Sequence, residues 1–104
     1  MTPTRRCKEK FGSAIYCLAV REGDVRERLL GAYRYLHMLT ESEIPPEYRG
    51  EWREILDACT RYGPDIDADG TVYFSAVEHT MKRIKNGTGR RISERIYRLA
   101  REIA

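Results

Sequence analysis

A chain of 104 residues holds one domain with one modest core, not two. Its 41% apolar content suits a globular fold, and no run approaches the roughly 18 apolar residues of a membrane-spanning helix. The net charge of +3 conceals a segregation described below, and three cysteines at no metal-ligand spacing argue against a disulfide framework or a zinc site; reduced thiols in a cytoplasm are the simplest account.

At the N-terminus Arg5, Arg6, Lys8 and Lys10 precede Phe11 to Val20, an arrangement that loosely imitates a signal peptide. Glu9 interrupts the basic region, Gly12, Ser13 and Tyr16 break the apolar stretch, and no small-x-small cleavage site follows. The better reading is a loose tail over residues 1–6 and one helical domain over 7–104. A first helix runs from Cys7 toward Arg21 with Phe11, Ala14, Ile15, Leu18 and Ala19 on one face, and Gly23 stops it.

The stretch Val25 to Leu39 organises the rest. Val25, Leu29, Ala32, Leu36 and Leu39 fall on one helical stripe, which Leu30 and Tyr33 widen. Asp24 stands at the N-cap and Glu27 three residues on, the spacing of a capping box. A stripe that wide needs more than one neighbour, so this is the central helix of a bundle, paired with the first in an antiparallel hairpin.

Pro45 and Pro46 forbid continuation but open a third helix, from Pro46 to Tyr62, with Tyr48, Trp52, Ile55, Cys59 and Tyr62 on its stripe. Gly63 and Pro64 end it. Thr71 to Phe74 has strand propensity, though a single short strand without a partner is marginal. Ser75 with Glu78 repeats the capping-box spacing and opens a fourth helix, with Phe74, Val77, Met81 and Ile84 on one face, that ends at Asn86-Gly87. Thr88 then caps a fifth, carrying Ile92, Ile96, Leu99 and Ile103. The predicted fold is all-α: one small bundle of four or five helices, the first three forming its core.

Two features bear on function. Asp65-x-Asp67-x-Asp69-Gly70, with Val72 at the eighth position, resembles the calcium loop of EF-hand and dockerin proteins, in which carboxylates converge on a hard cation and glycine makes the sharp turn. The twelfth position, where a bidentate Glu belongs, is Ala76; Glu78 comes two residues late, and Gly63-Pro64 breaks the entering helix. An acidic solvated turn explains the same residues, and any cation held by Asp65, Asp67 and Asp69 is weakly held.

Charge is the second. Residues 1–21 carry five Lys/Arg against one acid, 22–79 six against thirteen, and 80–104 eight against two. In the last block Lys82, Arg83 and Lys85 precede NGTG, and Arg90, Arg91, Arg95, Arg98 and Arg101 follow, with Arg91, Arg95 and Arg98 aligned on one helical side. Such a row suits phosphates of a nucleic acid or an acidic protein surface, and helix-NGTG-helix is similar to a helix-turn-helix reader, although the small residue of its first helix is missing. A solvated face, or pairing with the chain's own acidic middle, is the simpler account of the same residues.

No Gly-rich phosphate loop follows a strand, and no Ser/His/Asp or Cys/His set has local support. His37 reads as a core-edge residue and His79 as surface. The aromatics at helical spacing, Tyr62 and Tyr97 among them, default to core, while Tyr35 and Tyr73 fall off the stripes and suit an interface. The segment 67–99 (DADGTVYFSAVEHTMKRIKNGTGRRISERIYRL) resembles a group of short uncharacterised bacterial proteins with a G-x-V-Y turn, an S-V-E-x-T-M-x-R-I helix, an N-x-T-G turn and a final amphipathic helix; here Ala76 separates Ser75 from Val77. The likeness extends more loosely to EGDVRERLLGAYRYL and IPPEYRGEWREIL. It implies a compact bacterial helical domain and carries no activity. The expected function is therefore a non-enzymatic, cofactor-free interaction or regulatory protein acting through its basic C-terminal helices; a weak cation-binding module and a subunit of a helical homo-oligomer are the alternatives.

Overall fold

Local capping chemistry sets where the helices begin. In a computed structural model describing residues 1–104, Thr4 accepts from the Cys7 amide across 3.0 Å and starts α1 (Arg5–Val20). Asp24 accepts from the amides of Arg26 and Glu27 and starts α2 (Val25–Leu36). Glu27 does not return the bond as a capping box requires. Its carboxylate folds over Gly23, where a Cβ would collide with it and where φ is +100°, so that position takes only glycine. Pro46 opens α3 (Pro46–Cys59) after a 3-10 turn at Glu41–Glu43. Ser75 and Glu78 form the anticipated reciprocal box at the head of α4 (Ala76–Arg83), and α5 (Asn86–Ile103) follows.

The fold is the all-α bundle that the periodicity predicts, with α2 at its centre. Leu29, Ala32 and Leu36 are wholly buried, and α2 packs against α1, α3, α4 and α5. The first three helices do not close the core alone. Helix α5 packs on α1, α2 and α3, and its stripe of Ile92, Ile96, Leu99 and Ile103, with Val77, Met81 and Ile84 from α4 and its end, completes the core.

Several boundaries differ from the sequence reading, each for a local reason. Residues 4–6 are not loose: Thr4 caps α1, and Arg6 donates to the Met38 carbonyl at 3.1 Å and pairs with Glu43. Helix α2 tightens after Leu36 into 3-10-type bonds from Met38 to Tyr35 and from Leu39 to Leu36, which still deliver Leu39 to the core. Helix α3 ends at Cys59, where the Thr60 hydroxyl donates to the Leu56 carbonyl. The short strand has a partner after all: β1 (Asp65–Ile66) and β2 (Val72–Phe74) pair antiparallel through a bulge.

The NGTG segment is no turn. Only Ile84 and Lys85 separate α4 from α5, and Asn86 to Gly89 form the first turn of α5, closed by the Gly89 amide on the Lys85 carbonyl at 3.1 Å. Thr88 is inside the helix, and no side chain caps it. Gly89 is needed for proximity, since a Cβ there would lie 3.2 Å from Val25 Cγ1.

Candidate functional site

The predicted basic row does not survive intact. Arg95 turns inward across α3, its Nε 3.0 Å from Glu51 Oε2 and its Nη2 3.2 Å from Glu54 Oε2. This bond holds the Glu51 carboxyl below the usual carboxylate range and raises the Arg95 guanidinium. The middle of the row is thus neutralised by the chain's own acidic segment. Its flanks stay exposed: Arg90 and Arg98 reach the single carboxylate of Glu94 at 3.5 and 3.6 Å, and Arg91 donates to Thr88. Lys85 is exposed at the head of α5. Lys82 and Arg83 lie over the rings of Phe74 and Tyr62, each 4.4 Å from the ring centroid.

The acidic loop is built as a turn. Asp67 Oδ1 accepts from the amides of Asp69 and Thr71, both at 2.9 Å, and Gly70 adopts φ +82° to close it. Asp65 stands in β1, and the three carboxylates do not converge; no group of three or more His, Cys, Asp or Glu side chains is close enough to hold a metal ion.

His79 is half-buried rather than on the surface, its Nδ1 2.9 Å from the Gly63 carbonyl, and His37 is exposed, stacked on Tyr33. Tyr62 and Tyr97 are not core residues either: they are 37% and 52% exposed.

Tyr97 leads to a feature absent from the sequence reading. Helices α1 and α5 leave between them an apolar groove made of two adjoining depressions, about 390 and 260 Å³, that share Ile15 and Tyr97. Phe11, Gly12 and Leu18 line the α1 side and Ala100 the α5 side. Gly12 widens it, because nothing lies within 4 Å of where its Cβ would be. At the α2 end stands Arg28, whose guanidinium has no ion pair and whose Nε is buried without a hydrogen-bond partner. Arg90 and Glu94 edge the same end and Arg101 the other. Arg28 therefore brings an unpaired positive charge to this end of the groove.

Compared with protein families, curated proteins and solved structures, the chain matches none. Nor is any helix long and apolar enough to cross a membrane.

Proposed function

We propose that the protein is a non-enzymatic interaction module whose basic C-terminal helix engages an acidic protein surface. The observation that carries this reading is the juxtaposition of exposed arginines on α5 with a solvent-open apolar groove along the same helix. A protein partner covers both kinds of surface, whereas a phosphate ladder would leave the groove bare and would meet a row whose centre, Arg95, is already paired.

Fluorescence anisotropy with labelled oligoglutamate and with duplex DNA of comparable charge tests it at two salt concentrations. Oligoglutamate is expected to bind better than the duplex. Combining Arg91→Ala with Arg98→Ala should weaken that binding, while Arg95→Ala should change stability instead. A preference for the duplex, with log K falling by about 0.9 per phosphate against log salt, would overturn the reading. So would a failure of oligoglutamate to bind at low salt.

A further inference from the structure

We infer that the α1–α5 groove receives one amphipathic helix of the acidic partner, and that a carboxylate of that helix pairs with Arg28. This rests on the interaction reading above and names the form of its partner.

Length, lining and charge agree on the occupant. The groove follows α5 from Arg90 to Ala104, which at 1.5 Å per residue is about 21 Å. That matches about four turns of a helix, and helix-in-groove docking uses apolar anchors repeating along one side. The floor supplies their counterpart, with Ile15 and Tyr97 at mid-length and open space over Gly12 where a partner backbone or side chain can approach closely. The edges carry Arg28 and Arg90 at one end and Arg101 at the other against a single carboxylate, Glu94, which Arg90 and Arg98 already share. The edge is therefore cationic, and neither Arg28 nor Arg101 has an acceptor of its own, Arg101 lying instead over the Tyr97 ring. A second copy of this chain would bring arginines against arginines at the same edge, so charge disfavours self-association there.

The test uses the full chain and two labelled synthetic peptides of about 18 residues. One is helical, with leucines at i, i+3, i+4 and i+7 repeats and glutamates elsewhere; the other is an oligoglutamate of equal charge. Gly12→Leu fills the groove from a position with free space and replaces a helix-interior glycine by a better helix former, so it keeps the fold. The amphipathic peptide is expected to bind at least about ten-fold tighter than oligoglutamate, a difference of about 1.4 kcal/mol. Gly12→Leu should erase that preference, and Arg28→Met should weaken the amphipathic peptide several-fold while leaving oligoglutamate nearly unchanged.

Equal binding of the two peptides, with Gly12→Leu inert, would overturn the groove and leave the basic-face reading standing. Binding of neither would overturn both. Sedimentation showing a dimer that Gly12→Leu dissociates would assign the groove to a second copy and overturn the inference.

Discussion

The indole N–H of Trp52 donates to the main-chain carbonyl of Leu36 across 3.1 Å, inside the core. This bond joins the middle of α3 to the last residue of α2, at the point where α2 tightens toward Leu39. Both partners are buried, Leu36 fully and Trp52 to within 6%. Leu36→Ala is expected to cost about 2–5 kcal/mol through lost burial and a cavity. Trp52→Phe keeps most of the apolar area but removes the donor, at about 0.5–1.5 kcal/mol, because the Leu36 carbonyl keeps the Leu39 amide. Urea denaturation reads both, and an unmoved midpoint for Leu36→Ala would show that the stripe is misplaced.

Two glycines in helices should respond in opposite directions to alanine. Gly12 has open space at its Cβ position, so Gly12→Ala should stabilise by up to about 1 kcal/mol, the difference in helix propensity. Gly89→Ala would meet Val25 Cγ1 at 3.2 Å and require that side chain to shift within the α2–α5 contact, so it should destabilise despite the better propensity. Thermal melts of the two variants settle the signs.

Acid should weaken the fold through four carboxylates. Asp24 is held below the usual range by its bond from Arg26, Glu43 by the Thr40 amide, Glu51 by Arg95, and Glu78 by Ser75. Each has a lower pKa folded than unfolded, so each contribution is complete above the ordinary carboxylate pKa and disappears as pH falls through the folded value. The urea midpoint should be level from pH 7 to roughly pH 5 and then decline. Glu51→Gln should lower stability at neutral pH by about 0.2–1 kcal/mol, a modest figure because both side chains of the pair with Arg95 are more than a third exposed to screening solvent. It should also make the acid decline shallower.

Thiol chemistry should single out Cys17. Burial pushes the Cys59 thiol up to about 12, and burial with the charge of Glu43 raises Cys7, so neither forms a nucleophilic thiolate near neutrality. Cys17 is half-exposed on α1. Ellman's reagent at pH 8 should titrate one thiol in the folded protein and all three in guanidinium. Rapid reaction of all three without denaturant would contradict the burial of Cys7 and Cys59.

Elements built from short-range rules were legible in the sequence. The stripes of α2 and α5, the proline start of α3 and the Ser75–Glu78 box depend on neighbours within a turn or two. Strand β1 was not, because two residues carry no alternation, and the strand exists only by pairing with β2. NGTG reads as punctuation until the Gly89 amide is seen closing a helical turn on the Lys85 carbonyl. The inward bond of Arg95 joins residues 44 apart, and a row of arginines looks the same whether paired or solvated. The groove needs α1 and α5 side by side, which no local pattern announces. The available signal was Tyr97, one residue off the stripe set by Ile96, with the small residue Ala100 beyond it on the same side.

Helix α5 completes the core, and that imposes an order on synthesis. Residues 5–36 fold back on themselves across a short loop, so the α1–α2 hairpin can settle while later residues are still being added. Its inner face then waits, because Ile92, Ile96, Leu99 and Ile103 bury themselves only on helices made earlier. Until α5 has left the ribosome, the nascent chain presents an unsealed apolar surface. That interval is the one that favours chaperone capture, and removal of α5 is expected to leave the same inner face unsealed.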